Sequence, residues 1–432
     1  MEEEILQFDL PREIPSIIKV LGVGGGGGNA VTHMYREGGI RDVSFVLCNT
    51  DNQALLKSEV PVKIQLGKTT TVGLGAGGKP EMGRRAAEES VSDLERLLSD
   101  DTKMVFVTAG MGGGTGTGAA PVVAGVAKRM DILTVGIVTI PFLFEGTVKI
   151  KQALKGVEEI RKNVDALLVI NNERLRDVYS GLDIPNAFKK ADDTLTIAAK
   201  SISEIITVAG YINLDFADVN TILRNGGVAI MSNGLGRGEN RVSAAISNAL
   251  HSPLLNDNDV FKAKKILLNI TFGPLQPLMM DEMSEVHDFM AKFDSDIEVI
   301  WGTAADPELE DSIKITILAT GFGIEDVAPM TIDTDGKRKT DNAEIIGKTN
   351  EERQHIETDE DWSVLLKKYY GVSPDRFKTN RPKPFIFNLN NMDDNEIIDA
   401  VIAYPAYNRS PQLMINIARK ADARRASKHQ EV

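Results

Sequence analysis

Gly110-Met-Gly-Gly-Gly-Thr-Gly-Thr-Gly118 is the stretch that decides how this chain folds. It follows the apolar run Met104-Val-Phe-Val-Thr-Ala109, which reads as a buried strand. It precedes Ala119-Ala-Pro-Val-Val-Ala-Gly-Val-Ala-Lys-Arg129, which reads as a helix with Pro121 in its first turn. Strand, glycine loop and helix in that order build an anion site. Glycine lets the backbone turn tightly and approach a ligand, successive N–H groups form a nest, and the helix N-terminus adds partial positive charge. Thr115 and Thr117 add hydroxyl donors. The ligand implied is a phosphate chain. A flexible linker has no reason to sit between a strand and a helix, and a plain turn needs only one or two glycines.

Composition sets the outer limits. A chain of 432 residues has room for two globular domains and appended segments, and 42% hydrophobic residues support a core. The net charge of −13 argues against a dedicated nucleic-acid binder. One cysteine, Cys48, excludes an intramolecular disulfide framework and suits a reducing cytoplasm. With five histidines it offers no zinc cluster. The opening Met1-Glu-Glu-Glu-Ile-Leu6 is acidic where a secretory signal is basic and then apolar, and no run reaches the length of a membrane span. The expectation is a soluble cytoplasmic protein.

Two further glycine loops precede the first one quoted. Ile17–Leu21 reads as a strand running into Gly22-Val-Gly-Gly-Gly-Gly-Gly28, with a helix from Asn29 to Arg36. Gly22, Gly24 and Gly27 satisfy GxGxxG, and Asp51 follows the strand Val43–Cys48 where a dinucleotide fold keeps its ribose-binding acid. An NAD-dependent oxidoreductase is therefore the rival reading. A dinucleotide fold has no use for the second, richer loop at 110–118, whereas a triphosphate gripped from two sides does. A Walker-type P-loop fails: Gly67-Lys-Thr69 supplies its ending, but Val62 stands where its first glycine belongs. The third loop, Gly73-Leu-Gly-Ala-Gly-Gly-Lys-Pro80, leads into an acid- and alanine-rich helix and reads equally well as a surface turn. Loops of this kind after successive strands describe an open α/β sheet with its ligand on the strands' C-terminal edge.

Downstream, a strand over 131–140 ends at Pro141-Phe-Leu-Phe-Glu-Gly146, and another over 164–170 ends at Asn171-Asn172. A long helix follows from Ala187, with Phe188 and Asp192 four apart and so on one face. An aromatic plane beside a carboxylate suits guanine, which needs a stacking surface and an acceptor for its N1–H and 2-amino donors. Asn213, Asp215 and Asp218 lie in Gly210-Tyr-Ile-Asn-Leu-Asp-Phe-Ala-Asp-Val219, where the plain reading is an acid capping the next helix. Residues 225–322 alternate helices and strands without glycine loops, as an α+β layer does. From Thr331 to Asp361 the chain holds too few large apolar residues to offset ordering. Residues 323–395 thus read as a disordered linker, interrupted by the apolar patch Trp362-Ser-Val-Leu-Leu-Lys-Lys-Tyr-Tyr370, suited to folding on a partner.

Taken together, GGGTGTG at 112–118, GVGGGGGNAV at 22–31, PFLFEG at 141–146 and NLDFADV at 213–219 resemble the tubulin/FtsZ superfamily of GTPases. The resemblance runs over roughly residues 17–322. It implies a flexible lead (1–16), an open Rossmann-like parallel-sheet GTP-binding domain (17–185), and a connecting helix with the catalytic loop (186–224). An α+β domain (225–322), the disordered linker (323–395) and a partner-binding tail (396–432) follow. GTP or GDP with Mg2+ is the implied ligand. Gly24, Gly25, Gly26, Gly27, Asn29, Gly75, Ala76, Gly77, Gly110, Gly112, Gly113, Gly114, Thr115, Gly116 and Thr117 are the implied nucleotide contacts of the three loops. Lys79 stands where the family has asparagine, and whether this cation touches the nucleotide is left open by the resemblance. Glu145 is the implied ribose ligand, with Lys149 where arginine is usual; Asn172 is a nucleoside contact, with Asn171 in place of proline; Phe188 and Asp192 take the base.

The resemblance further implies that Asp215 and Asp218, helped by Asn213, complete the site of the next subunit and position its attacking water. Phosphoryl transfer needs positioning and charge stabilisation more than a strong base. A repeating head-to-tail contact that does not close into a ring gives a filament, here the filament of a mid-cell division ring whose assembly switches on hydrolysis. Ala403-Tyr-Pro-Ala-Tyr-Asn-Arg409 resembles the tail peptide that docks on membrane-tethering and regulatory division proteins, through Pro405–Arg409, which makes membrane contact indirect. A nucleotide-binding scaffold without efficient hydrolysis is the third reading, and the acidic pair counts against it.

Overall fold

Branched, apolar runs buried on both faces make parallel strands, and the first half of the chain supplies them. The computed structural model describes residues 16–322, save 39, 41, 180, 182, 209, 253–259, 294 and 295, together with 362–373 and 398. Strands β1 (Ile18–Val23), β2 (Val43–Asn49), β3 (Val62–Gln65), β4 (Met104–Gly110), β5 (Leu133–Ile140) and β6 (Ala166–Asn171) lie in one sheet. Every residue of β1 and β5 is buried. A short strand, β8 (Gly227–Val228), closes the sheet in the order β3-β2-β1-β4-β5-β6-β8, all neighbours parallel. The order reverses between β1 and β4, and such a switch point opens a crevice outside the strands' C-terminal ends. Cys48 is wholly buried in β2, and burial pushes its thiol up to about 12, so it behaves as core.

The crossovers are α1 (Gly24–Glu37), α2 (Asn52–Lys57), α3 (Pro80–Glu89), α4 (Val91–Leu98), α5 (Thr115–Arg129), α6 (Thr147–Lys162) and α7 (Asn172–Val178). Helix α5 starts earlier than its composition suggests. Glycine is a poor helix former, which favours a start at Ala119. Packing overrides that propensity: almost all of Thr115–Ala127 is buried, and Pro121 consequently lies inside the helix, not in its first turn.

Helix α8 (Ile184–Thr207) is capped by Asp183, whose side chain accepts the Asn186 N–H, and buries Leu195, Ala198, Ala199, Ile202 and Ile205. It leads to β7 (Gly210–Ile212) and α9 (Phe216–Leu223). The second sheet has the order β7-β11-β10-β12-β9, with β9 (Ile230–Gly236), β10 (Lys265–Phe272), β11 (Glu298–Ala305) and β12 (Ile313–Thr320). Helices α10 (Arg241–Leu250) and α11 (Met283–Met290) cover it. The domain boundary differs in detail from the sequence reading: β7, in the connecting segment, pairs with β11, while β8, beyond residue 225, pairs with β6. Arg241 is fully buried and donates to Glu282 Oε1 (2.7 Å) and to the Gln276 carbonyl (2.7 Å), holding the loop before α11.

The apolar patch in the linker forms a helix, α12 (362–370), that packs on the chain's own first domain. Leu366, Tyr369 and Tyr370 are buried, and the Lys151 ammonium of α6 lies 5.0 Å from the Trp362 ring centre. Residues 1–15, the linker outside 362–373 and the tail peptide Pro405–Arg409 lie outside the described residues.

Candidate nucleotide site

Strands β1 and β4 end in register, with Val23 beside Ala109, and so release two glycine loops side by side. Close packing then demands glycine. A Cβ at Gly27 would sit 2.2 Å from the Thr108 carbonyl oxygen; one at Gly114 would sit 2.8 Å from the Lys79 nitrogen and 2.9 Å from Ala76 Cβ. The first loop therefore lies on β4, and the second lies against the third, residues 73–80. Gly25 and Gly113 instead face open space, where a ligand would lie. Thr50, which the sequence did not single out, joins the loops: its hydroxyl is 2.6 Å from Thr115 Oγ1 and its carbonyl accepts the Gly75 N–H at 3.1 Å.

Helices α1 and α5 both begin on this edge, so their unpaired first-turn N–H groups and positive ends converge on it. Gly24 and Gly26 approach Gly116 and Gly110 respectively, which brings Gly110 and Gly112–Thr117 beside Gly24–Asn29; Ala76, with Gly75 and Gly77 on either side, borders Gly114. Thr117 is turned inward. Its Oγ1 accepts the Gly112 N–H at 2.8 Å and its methyl packs towards Gly156, so what it offers a ligand is its backbone.

A cavity of about 530 Å³ joins this rim to α8. Gly24, Gly25, Asn29 and Asp192 line it, with His33, Arg36 and Lys189, a size and polarity suited to a nucleoside. His33 lies one turn beyond Asn29 on α1, a spacing that could have marked it in the sequence. Its Nε2 is 2.8 Å from Asp193 Oδ1. Burial pushes the Asp192 carboxyl up to about 6; His33 pulls it down and Asp193 pushes it further up.

Phe188 is 39% exposed and meets Phe142 edge-to-face at 5.3 Å; it is not among the residues that line the cavity. Asn172 is only 4% exposed, and its Oδ1 has no hydrogen-bond partner among the described residues. Glu145 closes a short turn, Leu143–Glu145: its Oε1 accepts the Phe142 N–H at 2.9 Å and its Oε2 lies 3.1 Å from Lys149 Nζ. Glu173, absent from the sequence reading, braces the same turn by accepting the Leu143 N–H at 2.9 Å. Asn171 caps α7 through its Oδ1, which proline could not do. The Asp51 that favoured a dinucleotide fold is engaged elsewhere, accepting N–H bonds from Gln53 (2.9 Å) and Ala54 (3.3 Å) to cap α2.

Asn213, Asp215 and Asp218 are not brought to this edge. Helix α8 starts beside the cavity and its 24 residues carry the chain about 36 Å away. Arg224, at the end of α9, pairs with Asp131, which precedes β5, so α9 lies at the sheet's opposite edge. There Asp215 and Asp218 form a capping box: Asp215 Oδ1 accepts the Ala217 N–H (2.8 Å) and Asp218 Oδ2 accepts the Asp215 N–H (2.9 Å). Asn213 Oδ1 accepts the Gly210 N–H at 3.2 Å.

The profile of the Tubulin/FtsZ family GTPase domain matches residues 17–180, and that of the FtsZ family C-terminal domain matches 227–323. A further FtsZ C-terminal profile matches 379–424. The cell division protein FtsZ of Porphyromonas gingivalis is 52% identical over 420 residues, 96% of this chain and 91% of that protein. This chain belongs to the FtsZ family. It is a tubulin-like GTPase of cell division, and the hydride-transfer reading is set aside. FtsZ of Wigglesworthia glossinidia brevipalpis is 43% identical over 80% of this chain and 93% of its own. Among solved structures, an empty FtsZ dimer from M. jannaschii superposes with a TM-score of 0.66 at 38% identity, covering 75% of this chain and 95% of that one. CetZ2 from Haloferax volcanii, solved as a GTPγS-bound protofilament, shares the fold at 21% identity and a TM-score of 0.60 over 71% of this chain and 93% of that one.

Proposed function

We propose that this FtsZ-family chain binds GTP along the rim formed by Gly24–Asn29, Gly75–Gly77 and Gly110–Thr117, and hydrolyses it only when a second copy adds its 213–218 loop head-to-tail. The separation between the glycine rim and the acidic loop, the length of α8, carries this reading. Backbone N–H groups and two helix N-termini bind the phosphates; Glu145 with Lys149 takes the ribose, Asn172 the nucleoside, and Phe188 with Asp192 the guanine. Asp215 and Asp218 orient water from the neighbouring subunit, with Asn213 beside them. Their partial engagement in the capping box fits this role, since it fixes the two carboxylates before the partner arrives.

Magnesium is part of the reading. No group of three His, Cys, Asp or Glu side chains converges among the described residues, and a donor set of hydroxyls and backbone suits an ion that arrives on the phosphates and keeps its waters. When bound it neutralises charge developing on the transferred group. The chain's own part is to seat the phosphates and exclude alternatives to in-line attack. Filaments of such subunits at the cytoplasmic mid-cell site, tethered by partners of Pro405–Arg409, complete the proposal.

Mixing two inactive variants tests the shared site. Gly113→Ala puts a methyl into the phosphate space, and Asp215→Asn removes the charge from the loop. The expected mixture hydrolyses GTP faster than the sum of the two alone, because some junctions pair an intact rim with an intact loop. A rate equal to that sum contradicts it.

A further inference from the structure

Helix α12 docks immediately behind the turn that carries Glu145. Tyr370 Oη donates to the Pro141 carbonyl at 2.6 Å, at the first residue of the Pro141–Gly146 segment. Asn171 Nδ2 donates to the Tyr369 carbonyl at 2.8 Å, tying the helix to the end of β6 beside Asn172. Tyr369 Oη reaches Glu158 Oε1 at 3.3 Å, and Lys368 Nζ lies 3.8 Å from the same carboxylate. Leu366 is fully buried, and Tyr369 and Tyr370 are each 4% exposed, so the helix is seated by apolar burial as well as by hydrogen bonds. These residues fall between the stretches matched by the family profiles, 227–323 and 379–424.

The turn needs external support. It is one three-residue 3-10 turn, with Gly146 at φ +96° closing it, and such turns hold poorly alone. Glu145 and Glu173 accept the Phe142 and Leu143 N–H groups. Tyr370 donates to the carbonyl of Pro141, the residue before Phe142. Burial, with the Glu145 and Glu173 carboxylates adding to it, pushes the Tyr370 phenol well up, so the hydroxyl remains a donor throughout the physiological range.

We propose that α12 is a built-in brace of the nucleotide site, in which Tyr370 is a positioning residue that holds the Glu145 turn in register for the ribose. The linker segment thereby sets nucleotide affinity in cis. This rests on the reading of Glu145 as the ribose ligand.

The test uses the full-length chain, titrated with GTP and with 2′,3′-dideoxy-GTP, which lacks the ribose hydroxyls. Tyr370→Phe removes only the hydroxyl. It is expected to lower GTP affinity about two- to tenfold, the range of one lost hydrogen bond, while leaving dideoxy-GTP unchanged, so that the preference between them contracts. Leu366→Asp, which undocks the helix, contracts it further. Glu145→Gln is measured alongside. If Glu145→Gln leaves the preference at the wild-type value, the ribose reading fails and the brace with it. If Glu145→Gln contracts the preference while Tyr370→Phe and Leu366→Asp keep it, the ribose reading stands and the brace is overturned. Equal losses for both nucleotides in Tyr370→Phe also overturn it, since a merely structural residue does not distinguish them.

Discussion

At Asp192, burial and function pull in opposite directions. Its carboxyl is pushed up to about 6, yet the role proposed for it, accepting the guanine N1–H and amino donors, requires the ionised form. Because the empty-site value is raised, the acceptor is present above pH 6 and is lost as pH falls through it. GTP affinity measured on either side of that value should therefore drop on the acid side, and Asp192→Asn should bind weakly with that pH step removed. Asp215 carries a structural role beside the one proposed for it. Its Oδ1 caps α9, so replacement by alanine mixes a catalytic loss with a folding loss of about 0.5–2 kcal/mol. Asparagine caps nearly as well but carries no charge. Asp215→Asn is expected to keep its melting temperature and GTP affinity while turnover falls on the order of a hundredfold, as for removal of one charge-positioning group; calorimetry beside a turnover assay separates the two effects. The shared helical face of Phe188 and Asp192 was legible from their four-residue spacing; that Asp192 lines the cavity while Phe188 packs on Phe142 was not. The sequence read the Thr117 hydroxyl as a donor to the ligand, whereas it turns inward to the Gly112 N–H, an orientation that depends on Gly112 and Gly156 and has no local signal.

The glycine loops were legible as elements because their composition admits few other uses. Which glycine serves packing and which faces open space emerges only from the fold. Gly27→Ala drives a methyl into the Thr108 carbonyl and should destabilise the protein by about 1–3 kcal/mol, seen as a lower melting temperature. Gly25 faces open space in a helix, where alanine is favoured by up to about 1 kcal/mol. Gly25→Ala should hold or raise the melting temperature yet lower GTP affinity at least about tenfold, or about 1.4 kcal/mol. The start of α5 was misplaced because local propensity at Thr115–Gly118 yields to tertiary packing. The exchange of β7 and β8 between the sheets had no local signal, since strands of three and two residues carry too little pattern. Helix α12 was visible as an apolar patch in a polar tract. Its seat was not, because Pro141, Glu158 and Asn171 lie far back in the chain and none announces a partner.

At the scale of the whole molecule, the fold puts the glycine rim on one edge of a parallel sheet and an acidic capping box on the other. A single helix of 24 residues keeps them apart, so no motion short of unfolding that helix unites them within one chain. Two copies stacked head-to-tail unite them at once, and each added copy presents a fresh rim and a fresh loop, which is the condition for an open filament. Hydrolysis and assembly are then the same event seen by two assays. The most direct measurement is GTP turnover per molecule against protein concentration, with light scattering recorded in the same samples. The expected result is negligible turnover below a threshold concentration and a rise above it that coincides with scattering. Turnover per molecule that is independent of concentration would mean that one chain holds every catalytic group, and would contradict the division of the site between subunits.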